Sequence, residues 1–278
     1  MKKSYEEAKL QNADDFKRDT GVSLEVFVSI IQLVKSHFED LFDKNPNKLK
    51  GVKPSISIEN KILLTLYYLR HYPTFKNLGD NFGISESYAN KIYHNILNVL
   101  VQVLHVPGNK SLLDVDLDTI VIDVSEQPIE RPVKKQKKYY SGKKKTHTIK
   151  LQLIIHLFTM KILTVCAEKG HVHDFRIFKE NLYFIHPDLL ILGDSGYQGI
   201  EKIHANSWIP SKKTKNEDLT KQQKKDNKTL SSLRITVEMV NRRCKIFRIT
   251  KDTYRGKHRN YGKVWNVVAG LVNLRYAS

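Results

Sequence analysis

The stretch Thr119-Ile-Val-Ile-Asp-Val124 indicates the fold class of the second half of the chain. Its β-branched residues are typical of a buried strand. Two further apolar segments, 148–158 and 162–167, predict long strands that pair as a hairpin. Because strands here alternate with helical patterns, the sequence predicts an α/β domain. The remaining predicted elements of this domain are strands at 189–193 and 208–210 and helices at 173–181, 199–205, about 218–247 and about 261–276.

The residues before this domain predict helices only. Apolar residues recur at spacings of three and four from Leu24 to Phe42, which indicates an amphipathic helix, and a second such helix follows a serine cap. A Pro-Gly-Asn sequence at 107–109 then separates the helical pattern from the first strand. We therefore predict an all-α domain over residues 1–110 and an α/β domain over residues 115–278.

A helix-turn-helix pattern lies within the all-α domain, at about residues 55–103. Thr74 begins a short helix, Gly83 turns the chain, and Ser85 caps a longer helix. The second helix of such a motif enters the major groove of DNA with its N-terminal side chains towards the bases. An ordinary helical hairpin is the alternative interpretation. The candidate DNA-contacting residues on the second helix are Ser85, Glu86, Ser87, Tyr88, Asn90 and Lys91.

The charge of the chain predicts a polyanionic partner. It has 47 Lys and Arg against 29 Asp and Glu, a formal net charge of +18, and most of the excess lies beyond Asp114. Such a protein binds nucleic acid, ribosomes or an anionic membrane, and nucleic acid is the commonest of these partners. Since the sequence has no apolar run of membrane-spanning length, we expect no membrane partner and a cytoplasmic protein.

Three carboxylates stand in positions that suggest chemistry. Asp123 interrupts an apolar strand, where burying an unpaired charge costs several kcal/mol. Asp194 follows the apolar run 189–193, at the strand end where ligands gather in α/β sheets. Glu238 lies on the predicted long helix beside its buried stripe, on one face with Arg234, Asn241 and Lys245.

These three residue types suit a divalent metal ion and a phosphodiester substrate. Mg²⁺ prefers oxygen ligands, and two metal ions clamp the attacking and leaving oxygens of a phosphoryl transfer. Each residue alone has a simpler structural explanation. Asp123 can cap a turn, Asp194 can begin the turn before Gly196, and Glu238 can pair with Arg234 or Arg242.

Four local sequences, taken together, resemble a known family. They occur in the family's order and look like those of insertion-sequence transposases of family five, relatives of the Harbinger group of DDE endonucleases. The resemblance covers about residues 50–275 and includes the helix-turn-helix stretch. The four sequences are DVSEQPIERP at 123–132, YSGKKKTH at 140–147, GDSGYQG at 193–199, and Val237-Glu238 followed by Lys245 and Phe247.

The resemblance implies a ribonuclease H-like catalytic domain, with a mixed sheet flanked by helices, and cut-and-paste transposition. It assigns Asp123, Asp194 and Glu238 as catalytic residues and as ligands of two divalent ions, Mg²⁺ or Mn²⁺. The expected partners are double-stranded DNA, as terminal inverted repeats and target, and further copies of the chain on DNA in the bacterial nucleoid. A DNA-binding regulator or inactive relative, and a ribonuclease H-like nuclease that only hydrolyses, are the alternatives.

Basic residues of the second domain are further candidates for DNA contacts. Lysines surround two tyrosines at 134–145, which indicates DNA backbone binding, although a solvated loop is the alternative. The pair His173 and Asp174 favours a helix cap over a metal site, and Tyr197 favours packing over base stacking. The candidate DNA contacts in this domain are Lys143, Lys144, Lys145, His147, Arg234, Arg242 and Lys245.

Overall fold

The computed structural model describes residues 3–44, 56–114, 116–181, 184–213 and 217–276. The chain forms two compact units. The helical unit comprises Met1–His105, Lys245–Lys251 and Lys263–Ser278, and the sheet unit comprises Val106–Cys244 and Asp252–Gly262.

The helical unit contains the predicted amphipathic helices. Ser57 caps α4, since its side chain accepts a hydrogen bond from the Asn60 amide. Within α3 the buried positions include Phe27, Ile30 and Val34, as the three- and four-residue spacing predicts. The helices are α1 (Tyr5–Ala8), α2 (Ala13–Thr20), α3 (Leu24–Lys44), α4 (Ile58–His71), α5 (Phe75–Phe82) and α6 (Glu86–Val103).

Helices α5 and α6 form the predicted short helix, turn and longer helix. Gly83 ends α5 with a φ of 68°, which glycine adopts without strain, and the Ser85 side chain accepts from the Tyr88 amide to cap α6. Gly79 allows the backbone of the turn to pass close to α5, because a Cβ at position 79 would lie 2.6 Å from the carbonyl oxygen of Ile84. The sequence therefore fixes the path between the two helices.

A mixed sheet forms the centre of the sheet unit. Strand β1 pairs antiparallel with β3 and parallel with β5; β3 also pairs antiparallel with β2 and β4, and β5 pairs parallel with β6. The predicted hairpin of long strands and the predicted α/β class, a mixed sheet with flanking helices, are confirmed. The strands are β1 (Thr119–Pro128), β2 (Tyr140–Ser141), β3 (Thr146–His156), β4 (Ile162–Lys169), β5 (Leu190–Leu192) and β6 (Ser207–Trp208).

The α-helices that follow in the described ranges are α7 (Gln136–Tyr139), α8 (Asp174–Asn181), α9 (Lys221–Lys245) and α10 (Tyr261–Arg275). Phe178 of α8 packs in one buried cluster with Ile120 and Ile122 of β1. Because side chains alternate along a strand, Asp123 points to the opposite face from Ile122. That face meets α9, so β1 contributes both to the core and to a polar site.

Two C-terminal segments belong to the helical unit, whereas the sequence suggested one domain over 115–278. Phe247 is buried against the C-terminal end of α2, where a Cβ on Gly21 would lie 2.5 Å from its ring. The helical unit thus includes residues from both ends of the chain. In the described ranges no single helix is long and apolar enough to cross a membrane, although the bent pair α2 and α3 passes by length and composition.

Candidate active site

Asp123 lies in the middle of β1 and faces α9. Its side chain is 20% exposed and is held through both oxygens. Arg234 donates from Nη2 to Oδ1 at 3.2 Å, and Asn241 donates from Nδ2 to Oδ2 at 3.1 Å. Both donors come from α9, seven residues apart, so they lie on one face of that helix. Asp123 therefore does not cap a turn, since its carboxylate bonds to α9.

Asp194 follows β5 directly and begins the 3₁₀ turn Ser195–Tyr197. Its Oδ1 accepts a hydrogen bond from the Gly196 amide at 2.7 Å. The simpler explanation suggested by the sequence, that Asp194 begins the turn before Gly196, is thus correct. It is compatible with a role in the site, because the same carboxylate lies close enough to Asp123 to raise its pKa.

Glu238 lies on α9 between Arg234 and Asn241, with its side chain exposed. In the described ranges Arg234 makes its ion pair with Asp123 rather than with Glu238. Glu238 also acts on Asp123, raising the pKa of that carboxyl. The charges of Asp194 and Glu238 thus both act on Asp123, and the assignment of the three carboxylates to one site stays a prediction.

The pKa of Asp123 is raised above its usual value. Burial is the largest cause, and the negative charges of Asp194 and Glu238 add to it, while Arg234 and Asn241 act in the opposite direction. Three carboxylates therefore act here together with the guanidinium of Arg234, which pairs with Asp123. A bound cation would relieve this imbalance.

The chemistry of these side chains fits a hard divalent cation. They offer carboxylate oxygens, and the amide oxygen of Asn241 is buried without a hydrogen-bond partner. In the described part of the chain, however, no three His, Cys, Asp or Glu side chains are close enough together to form a ready metal site. Arg234 occupies one oxygen of Asp123 in this arrangement.

A buried charge network adjoins Asp194, and the sequence did not reveal it. Lys150 of β3 donates from Nζ to Asp174 Oδ1 at 2.7 Å and to the Val172 carbonyl at 2.8 Å. A Cβ on Gly196 would lie 2.9 Å from Asp194 Oδ1 and 3.4 Å from Asp174 Oδ2, so both carboxylates flank this glycine. A lysine within an otherwise apolar strand was the sequence signal that could have indicated this network.

Two sequence interpretations concern residues of this network and its neighbours. Asp174 was favoured as a helix cap, but it lies inside α8 and its carboxylate pairs with Lys150. Tyr197 is fully buried, and its hydroxyl accepts from Gln152 Nε2 at 3.0 Å. Burial also raises the pKa of Tyr197 well above its usual value. The packing interpretation of Tyr197 is confirmed.

The candidate DNA contacts of the helical unit lie at the start of α6. Ser85, Ser87 and Lys91 are exposed there, while Tyr88 and Asn90 are half-buried. The exposed Ser85 side chain also caps α6, and its hydroxyl lies 3.3 Å from that of Ser87. These positions are compatible with the predicted contacts, which stay a prediction.

The candidate DNA contacts of the second domain lie in two places. Lys143, Lys144 and Lys145 are exposed in the turn between β2 and β3, and His147 is the second residue of β3, opposite Tyr140. The backbone of this turn is closed by Ser141, which accepts from the amides of Lys144 and Lys145. On α9, Arg242 and Lys245 are exposed, whereas Arg234 is engaged with Asp123.

Comparison with known proteins gives consistent findings for both parts of the chain. The sequence model of the DDE superfamily endonuclease matches residues 122–273, and that of the helix-turn-helix of DDE superfamily endonuclease matches residues 54–105. A probable transposase for insertion sequence element IS702 from Microchaete diplosiphon is 41% identical over 276 residues. The matched region covers 98% of this chain and 98% of that relative.

Proposed function

The chain belongs to the DDE superfamily endonucleases and has the function of a DNA transposase, and we propose that Asp123, Asp194 and Glu238 are its metal-binding catalytic residues. The family prediction is confirmed at the level of the superfamily; membership of family five stays a prediction. One observation carries the residue assignment. Arg234 and Asn241, which flank Glu238 on α9, bond to both oxygens of the partly buried Asp123. The negative charges of Asp194 and Glu238 also raise the pKa of Asp123.

The proposed site holds divalent metal ions, Mg²⁺ or Mn²⁺, through these three carboxylates. When bound, a pair of such ions activates the attacking hydroxyl and stabilises the leaving oxygen of an in-line displacement. The role of the protein in this chemistry is to hold the ligands in position. The Gly196 amide orients Asp194, and Asn241 orients Asp123.

Arg234 has two tasks in this proposal. Before DNA binds, its guanidinium neutralises part of the charge on Asp123. With DNA bound, the same planar group is suited to a phosphate oxygen, because guanidinium binds phosphates in a fork of parallel N–H bonds. Arg242 and Lys245 add positive charge on the exposed surface of α9.

The proposed reaction has two steps on double-stranded DNA. The helix-turn-helix, with Ser85, Ser87, Tyr88, Asn90 and Lys91, binds the terminal inverted repeats. Water then attacks the phosphodiester at the element end, and the freed 3′ hydroxyl attacks target DNA. The exposed lysine turn at 143–145, with His147, is proposed to hold the DNA backbone. Cut-and-paste transposition by several copies of the chain, on the DNA of the bacterial nucleoid, is the resulting function.

An end-cleavage assay tests this proposal. Purified protein is incubated with labelled element ends and Mg²⁺ or Mn²⁺, alongside Asp123→Asn, Asp194→Asn and Glu238→Gln. Asp118→Asn is the matched control, because this exposed carboxylate lies just before β1 and bonds to His156 instead. We expect cleavage and joining by the parent and the control, and loss of both in the three variants.

Other outcomes would overturn parts of the proposal. Binding without cleavage by the parent would identify a DNA-binding regulator or an inactive relative. Hydrolysis without a joined product would identify a nuclease. Cleavage that survives all three substitutions would exclude the carboxylate assignment.

A further inference from the structure

Asn241 is a buried polar residue beside the proposed metal ligands, and its hydrogen bonding is incomplete. It is 7% exposed, and its Nδ2 donates to Asp123 Oδ2 at 3.1 Å. Its Oδ1 is buried and has no hydrogen-bond partner in the described part of the chain. Burying an acceptor without a donor costs stability.

The direction of the amide follows from its partner. An ionised carboxylate only accepts hydrogen bonds, so the amide nitrogen is the group that bonds to Asp123, and the carbonyl oxygen does not bond to this carboxylate. Arg234 donates to the other oxygen of the same carboxylate. Arg234 and Asn241 thus hold Asp123 from positions four residues before and three residues after Glu238.

A second asparagine on the same helix shows what a purely structural role looks like. The Oδ1 of Asn227 accepts from the Ser211 amide at 2.9 Å, and its Nδ2 donates to the Ser211 carbonyl at 2.9 Å. Both ends of that amide are satisfied within the chain. Asn241 differs because its Nδ2 bonds to Asp123 while its Oδ1 has no partner among the described residues.

We propose that Asn241 is a positioning residue for Asp123 that also presents an uncharged fourth oxygen to the hydrated divalent cation. The inference rests on the proposed function, because it takes Asp123 as a metal ligand. Amide oxygens are suitable ligands for hard cations, and Mg²⁺ keeps several waters that need acceptors. Partners that orient a metal ligand change metal affinity about 10- to 100-fold when they are removed.

The experiment measures metal binding by the full chain in the absence of DNA. Mn²⁺ is titrated calorimetrically into the parent, Asn241→Ala, Asn241→Asp, Asp123→Asn and the control Asn227→Ala, and thermal unfolding is recorded with and without Mn²⁺. We expect Asn241→Ala to bind Mn²⁺ about tenfold or more weakly. Asn227→Ala should lose some stability but keep its Mn²⁺ affinity within about twofold.

Asn241→Asp separates a metal-facing oxygen from a structural one. It places a second carboxylate against Asp123, so the metal-free protein should melt at a lower temperature. Because the cation then neutralises one more charge, Mn²⁺ should raise its melting temperature by more than it raises that of the parent. A structural role alone would not produce this larger increase.

The outcomes for Asn241 and for the carboxylates are distinguishable. Parent-like Mn²⁺ affinity in Asn241→Ala, or no larger thermal increase in Asn241→Asp, would overturn the role of Asn241 while Asp123→Asn still loses the metal. If Asp123→Asn itself binds Mn²⁺ as the parent does, the proposed metal site is wrong, and the inference falls with it.

Discussion

Replacing Lys150 with methionine tests the buried charge network beside Asp194. The Lys150 side chain is 11% exposed, its Nζ lies 2.7 Å from Asp174 Oδ1, and it lies 3.8 Å from Glu126 Oε1. Methionine keeps the length of the side chain but removes the charge, which leaves two carboxylates in a largely buried site. Removing one partner of a buried ion pair costs about 3–5 kcal/mol.

The predicted loss is large enough to measure directly. At about 2–4 °C per kcal/mol for a domain of roughly 150–250 residues, Lys150→Met should lower the melting temperature by about 6–20 °C. Circular dichroism of the metal-free protein measures this change. Lys169→Met is the control, since Lys169 is half-exposed and pairs with Glu168 at 3.6 Å, an interaction worth about 0–1 kcal/mol.

A double-mutant cycle separates charge from packing. Asp174→Asn neutralises the carboxylate that Lys150 leaves behind, so Lys150→Met with Asp174→Asn should cost less than the sum of the two single changes, by about 0.5–3 kcal/mol. A melting temperature of Lys150→Met within about 2 °C of the parent would refute the reasoning. Strict additivity in the cycle would show that the loss comes from packing and not from the ion pair.

Three further predictions concern the turn before α6 and the charge on Asp123. Gly79→Ala should destabilise the protein by about 1–3 kcal/mol and weaken DNA binding in a gel-shift assay, because its Cβ would lie 2.6 Å from the Ile84 carbonyl oxygen. The control Gly142→Ala should change neither stability nor DNA binding, because the space around Gly142 is open. Ser85→Ala removes the cap of α6 and should cost about 1 kcal/mol by urea unfolding, and Ser85→Asp should restore most of it. Without metal, the stability of Asp123→Asn relative to the parent should increase as the pH rises above about 4. The reason is that the folded pKa of Asp123 is raised, so the parent loses stability through that range. A constant difference in stability between about pH 4 and 8 would contradict this prediction.

Local sequence signals predicted the elements of the fold well. The β-branched run in β1, the hairpin of β3 and β4, and the serine cap of α6 each depend on neighbouring residues, and each is found in the structure. The predicted strand at 208–210 corresponds to β6, whereas β2 was not predicted, because its two residues are too few to give a periodic pattern. The assignment of residues after Lys263 to the helical unit likewise depends on contacts that no local pattern encodes.

The sequence proposes the residues of the candidate site but not their contacts. Asp123, Asp194 and Glu238 were identified by position and by motif. The bonds from Arg234 and Asn241 to Asp123 join residues more than a hundred positions apart, and only the packing of α9 on β1 determines them. The pairing of Asp174 with Lys150, which replaced the predicted helix cap, has the same origin.

The periods of a strand and a helix together explain why these residues meet. Along β1 the period of two turns Ile122 to the core and Asp123 to the opposite face, while along α9 the period of 3.6 places Arg234, Glu238 and Asn241 in one row. Within this row, Arg234 and Asn241 donate hydrogen bonds to the two oxygens of Asp123. This leaves the exposed Glu238 and the amide oxygen of Asn241 without a partner from this row. These two groups are therefore the ones that the proposed divalent cation and its waters would meet at this site.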